Sequence, residues 1–244
     1  MMNRMKKVKE LTTRFVGDYA WRAVILISAS ILADAAFFLY YTISFFLSDR
    51  DLWCFFMLFF YFTLALARVT LFLLYRKDAG REEQEYSFVV TAGTSLCVLG
   101  LEICTLAVSA YLNGTLISLS NATVITNAVL AIITNGFLYN AIRFVVKFIA
   151  PFTGRRHMKQ QTVQSEFFRC KKYLSRAESL FMFMLLLNRI LARANVEMSP
   201  ALLIVHLVAF LLTGVYAIAA GTMLLLRARK RRMQTDKSVP PPVD

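Results

Sequence analysis

Long apolar runs separated by short polar links set the pattern of this chain. Ala23 to Ser48 carries one charge, Asp34. Leu52 to Tyr75 carries Arg68, and Tyr86 to Leu112 carries Glu102. Ala122 to Ala150 is more polar, with Asn127, Asn135, Asn140 and Arg143, and Pro200 to Leu226 includes His206. Each run exceeds the roughly 20 residues that a helix needs to cross a bilayer at about 1.5 Å per residue. A shorter run extends from Ala177 to Asn195. Its unbroken apolar stretch is Leu180 to Leu187, followed by Asn188, Arg189 and Arg193.

The basic residues decide whether that short run counts. They cluster before the first run, between the second and third, between Arg143 and Arg176, and after Leu226; 24 of the 28 lysines and arginines fall in these four places. An even number of spans puts all four clusters on one side, as the positive-inside rule requires, whereas five spans would expose the basic tail on the other side. The pattern therefore predicts an all-α, polytopic membrane helix bundle with six transmembrane helices and both termini in the cytosol. The spans are 23–48, 52–75, 86–112, 122–150, 177–195 and 200–226. Residues 1–22 form a basic N-terminal segment, 23–226 the transmembrane domain, and 227–244 a basic tail without fixed structure from Met233 onward. The first run has no small-residue cleavage site and reads as a retained span rather than a signal peptide.

Composition agrees with lipid as the main solvent. Apolar residues make up 58% of the 244 and charged residues 18%, against roughly 45–50% and 25% in soluble domains. That excludes a soluble enzyme, a disordered chain and a secreted disulfide scaffold. The net charge of +13 would suggest nucleic acid in a soluble protein. Here it lies in the links and points instead to anionic headgroups on the cytosolic face of the cell membrane. No nucleic-acid partner is expected; a second copy or a membrane partner protein remains open.

Little in the chain resembles catalytic machinery. It has no Gly-x-Ser-x-Gly, His-Glu-x-x-His or Walker motif. Of the four cysteines, Cys97 and Cys104 are seven apart and share a helix face, while Cys170 falls in the basic link before the fifth span. With two histidines and no CxxC, neither a metal site nor a cofactor is expected. Asn113 and Asn121 match the glycosylation acceptor pattern in the predicted outer link.

The chemistry that remains is the set of polar groups inside the spans. Asp34 lies about 16 Å into the first span and Arg68 about 11 Å from the inner end of the second. A buried charge is costly enough to demand a partner, so these two are expected to pair, either as a structural clip or as a proton or ion site. Glu102 and Arg189 form a second candidate pair. Glu178, at the inner mouth of the fifth span, reads as an interfacial acid compensating a helix dipole. Asn127 and Thr134 share a face with Asn135 beside them, as glue between helices or as the lining of a cavity; Asn140 and Arg143 follow on the same span. His206 serves helix packing or a proton relay.

The string Ser165-Glu-Phe-Phe-Arg-Cys-Lys171-Lys-Tyr-Leu174-Ser-Arg-Ala-Glu178 resembles a segment of the cation diffusion facilitators, which implies a six-helix bundle with both ends inside. That family's Asp and His positions are Lys171 and Leu174 here, and its span-two ligand region, near Met57, Phe60 and Leu64, is apolar. The metal ligands are therefore missing. The chain also resembles a group of uncharacterised bacterial six-helix membrane proteins with aromatics followed by Arg in the second and fourth spans. Together these readings favour a non-enzymatic scaffold or regulatory subunit with a transporter-like bundle. A secondary carrier or proton-linked permease for a small solute or cation comes second, and a membrane-embedded enzyme third.

Overall fold

The computed structural model describes residues 19–47, 52–76, 81–114, 162–193 and 199–238, and the regular elements among them are all α-helices. They are α1 (Tyr19–Leu47), α2 (Leu52–Arg76), α3 (Arg81–Leu112), α4 (Thr162–Arg193) and α5 (Pro200–Ser238). Four of the five, α1, α2, α3 and α5, contain stretches long and apolar enough to cross a membrane. The predicted fourth span, with Asn127, Asn135, Asn140 and Arg143, and the acceptor Asn121 lie outside the described residues.

Side-chain pairs fix the helix directions. Asp34 meets Arg68 while Phe45 meets Phe55, so α1 and α2 are antiparallel. Gln84 reaches Leu74 and Glu102 reaches Thr63, so α3 is antiparallel to α2. Tyr75 packs on Phe167 and Phe60 on Phe181, which sets α4 antiparallel to α2 as well. Gly93 faces Gly221 and Gly100 faces Gly214, so α5 opposes α3. Thus α1, α3 and α4 run one way and α2 and α5 the other. Arg76, Arg81 and the basic run Arg227–Arg232 gather at one end, called here the basic end.

Each helix buries a stripe with steps of three and four residues, the spacing of one helical face. On α2 it runs Met57, Phe60, Leu64, Arg68 and Leu71; on α4, Phe167, Cys170, Leu174, Glu178, Phe181, Leu185 and Asn188. The opposite faces leave large apolar side chains such as Leu32, Phe46, Leu101 and Leu212 uncovered, a surface suited to lipid rather than water.

Local signals end the helices where the chain provides them. Ser199 caps α5 through its hydroxyl on the Leu202 amide, with Pro200 in the first helical position. Gly114 closes α3 at φ +65°, its amide bonded to the Tyr111 carbonyl. Asn113, one of the predicted acceptors, donates its side-chain amide to the Ser109 carbonyl.

Two helices extend by about three turns or more past the sequence reading. α4 begins at Thr162 rather than near Ala177, and α5 continues to Ser238 past Leu226. In α4 the charged residues Arg169, Lys172 and Arg176 leave a buried stripe between them, and on α5 the basic run keeps Ala228 in the core. Phe167 lies against Tyr75 and Phe88, Cys170 and Leu174 are fully buried, and Ala228 is buried on α5. Average hydropathy conceals such a stripe. Cys170, expected in a basic loop, therefore sits inside a helix, where burial pushes its thiol up to about 12.

Candidate functional site: a three-helix ion cluster

The most polar point in the core is built from three helices. Arg68 comes from the α2 stripe, Asp34 from α1 and Glu178 from α4; all three are almost completely buried, as is Ser30 one turn before Asp34. Arg68 Nη1 donates to both carboxylate oxygens of Asp34, each at 2.6 Å. Its other terminal nitrogen, Nη2, donates to Glu178 Oε2. Only a planar, forked cation can hold two carboxylates on separate nitrogens this way; an ammonium acts as a single point.

The expected pairing of Asp34 with Arg68 is thus present. The reading of Glu178 as an interfacial acid at a helix mouth is corrected. α4 starts sixteen residues before Glu178, so this carboxylate lies far from any helix N-terminus and projects from the buried stripe onto Arg68. Its sequence signal was visible once the stripe is followed back through Ala177, Leu174, Cys170 and Phe167.

Aromatic rings flank the cluster along α2 in both directions. Toward the basic end stand Tyr75, Phe167 and Phe88, with ring centroids 4.6 Å and 5.4 Å apart along the row. Toward the other end Tyr61 stacks on Tyr41 and tilts against Phe37, while Phe60, Phe181 and Phe210 form a second row. Seven residues on α2 separate Arg68 from each layer, about 10 Å of helix. Inside such a low-dielectric compartment an ion pair is strong, and an unpaired member is expensive.

The remaining predicted residues are scattered. Glu102 Oε1 accepts a hydrogen bond from the Thr63 hydroxyl at 2.8 Å, and Oε2 is buried with no partner among the described residues. Its proposed partner Arg189 is part of α4, but that side chain lies outside the described residues. His206 is buried on α5 with its ring 5.3 Å from Phe210, and Nε2 has no partner among the described residues. Lys171, in the basic half of α4, is half-buried; burial, with the Arg68 charge second, lowers its ammonium to about 7.

Among the described residues, no three His, Cys, Asp or Glu side chains come together as metal ligands would. Leu174 on α4 and Met57, Phe60 and Leu64 on α2 are buried in the apolar core.

Sequence reasoning did not single out the glycines that join α3 to α5. Gly93 and Gly100 on one helix, and Gly214 and Gly221 on the other, are each seven apart and therefore on one face. A Cβ at Gly100 would lie 2.6 Å from the Gly214 carbonyl oxygen and 2.9 Å from the Ile218 nitrogen. Cys97 and Cys104 share this seam, as their spacing predicts, with Sγ atoms 3.8 Å and 3.9 Å from the Ile218 and Leu211 carbonyls. The recurring seven-residue step was the available signal. At the basic end Arg231 of α5 bridges Glu85 of α3 at 3.2 Å and Glu166 of α4 at 2.7 Å.

No protein-family model matches the chain, and neither a curated protein nor a solved structure matches it.

Proposed function

We propose that this is a non-enzymatic multi-pass protein of the cell membrane, a scaffold or regulatory subunit, with six spans and its basic end in the cytosol. One observation carries the reading. The most charged element of the core joins three helices through a single guanidinium flanked by aromatic rows, an arrangement suited to fixing helices. The six-span topology requires the third and fifth spans to be parallel; that α3 and α4 run in the same direction supports it. The clustering of basic residues at one end supports the orientation.

The test is a set of neutralised variants in a mild detergent. Asp34→Asn, Arg68→Gln and Glu178→Gln each lower the melting temperature. The triple variant recovers much of what Arg68→Gln loses, because no charge is left unpaired. A triple variant no more stable than Arg68→Gln alone would defeat the structural role.

A second reading, a proton-linked carrier, draws support from the buried Glu102 Oε2 and His206 Nε2, which have no partner among the described residues, since such buried polar atoms are unusual in a finished core. It predicts proton flux in proteoliposomes carrying a trapped pH dye, abolished by Glu102→Gln. Absence of flux in the native protein sides with the scaffold.

A further inference from the structure

At the basic end, an open groove of about 400 Å³ lies between α3 and α5. Its deeper wall is apolar, from Val90 and Leu225. Its rim carries Tyr86, Arg229 and Arg232. On α5, Leu225, Arg229 and Arg232 follow at steps of four and three and so form one stripe. That stripe crosses the point where the apolar run ends at Leu226 and the basic run begins at Arg227.

Of the four arginines at this helix end, Arg227 does not line the groove, and the other three differ. Arg231 is engaged by Glu85 and Glu166. Arg229 and Arg232 are exposed, and neither forms an ion pair with a carboxylate among the side chains that the structure describes, which end at Met233 on α5. The Arg232 guanidinium rests over the Tyr86 ring at 5.9 Å from its centroid, which holds it at the rim rather than letting it sweep through solvent. Two forked cations above an apolar wall match a ligand with an anionic phosphate at one end and a hydrocarbon chain at the other.

We infer that this groove is a binding site for one anionic phospholipid of the cytosolic leaflet. Its phosphate lies between Arg229 and Arg232, and one acyl chain runs along Leu225 and Val90 toward the bilayer centre. The inference rests on the bilayer placement proposed above and is independent of whether the protein is a scaffold or a carrier. It differs from general attraction between a basic surface and acidic lipid in naming two arginines out of the run and a stoichiometry of one.

The experiment titrates the full chain, in a neutral detergent, with short-chain phosphatidylglycerol below its micelle concentration, and counts bound lipid by native mass spectrometry. The expected result is one saturable site that discriminates against short-chain phosphatidylcholine. Arg229→Gln with Arg232→Gln weakens it roughly tenfold or more, the scale of two basic residues near an anionic headgroup. Arg227→Gln with Lys230→Gln, on the same helix end, leaves it within about twofold. Inorganic phosphate in large excess fails to displace the lipid, because the acyl chain supplies part of the binding.

The inference is overturned by equal binding of phosphatidylcholine, by an undiminished Arg229/Arg232 variant, by equal loss in the control pair, or by displacement with inorganic phosphate. Both variant pairs alter exposed side chains, and unchanged melting shows that they fold. Flotation of the native chain with liposomes reports membrane insertion separately. A chain that floats but shows no lipid preference loses the site and keeps the proposed function, whereas one that fails to float loses both.

Discussion

The seam between α3 and α5 and the cluster joining α1, α2 and α4 solve the same problem by opposite means. Hydrocarbon surrounding a helix is as apolar as its own leucines, so burying more leucine brings little association. The seam removes side chains. Four glycines and two cysteines let the backbones approach until an added Cβ at Gly100 would meet a carbonyl oxygen at 2.6 Å. The cluster adds them, with one guanidinium on two carboxylates inside a cage of rings. The seam is intolerant of volume and indifferent to charge. The cluster is intolerant of charge imbalance.

The largest effect is expected where the cluster loses its cation. Arg68→Gln leaves Asp34 and Glu178 without their shared partner, a loss of about 3–5 kcal/mol on the scale of broken buried ion pairs. Arg68→Lys should restore little of it, because one ammonium cannot present two separate nitrogens. Steric-trap unfolding in bicelles measures both. A fully stable lysine variant would show that charge alone, without the fork, holds the helices.

Next comes volume in the seam. Gly100→Ala should cost about 2–3 kcal/mol, the upper part of the overpacking range, since backbone must move on both sides. Gly93→Ala should cost less, because its closest neighbour is the Leu225 side chain, with Cγ at 2.9 Å, and the nearest backbone atom, the Gly221 carbonyl oxygen, stands at 3.1 Å rather than 2.6 Å. The same unfolding assay ranks the two, and equal costs would mean that the helices separate as rigid bodies.

A smaller effect belongs to the ion bridge at the basic end. Arg231→Gln should cost under about 1 kcal/mol, and added salt should shrink the difference, because Arg231 is 44% exposed. A loss as large as that of Arg68→Gln would make this bridge part of the core.

The smallest is a chemical reading on the edge of the cluster. With its ammonium lowered to about 7 by burial, Lys171 is substantially neutral at pH 8. Its acylation rate should level off there, while an ordinary lysine keeps gaining reactivity toward its pKa of about 10.4. Peptide mapping across pH decides this; a rate that climbs past pH 9 would show Lys171 to be solvated.

Most of the fold was legible as periodicity and run length. The spans holding Asp34, Arg68, Glu102 and His206 each appear as helices that contain the predicted residues. The Asp34–Arg68 pair was legible too, since one charge of each sign at comparable depth on consecutive helices leaves few alternatives. Glu178 was misread because basic residues on the outer face of α4 disguised the buried stripe that carries it inward. The glycine seam was overlooked although its spacing is plain, because small residues signal close approach only when a second helix supplies the matching step.

The linear order of residues determined which segments are helical, which are apolar enough for lipid, and that one end of the assembly is cationic, because helix periodicity, hydropathy and charge placement are properties of a single segment. Only the tertiary structure decided which helices touch. It brought Glu178 to Arg68 across 110 positions, matched Gly100 to Gly214, and left Glu102 with Thr63. Partner choice depends on the relative rotation and depth of helices far apart in the chain, quantities that no local pattern contains.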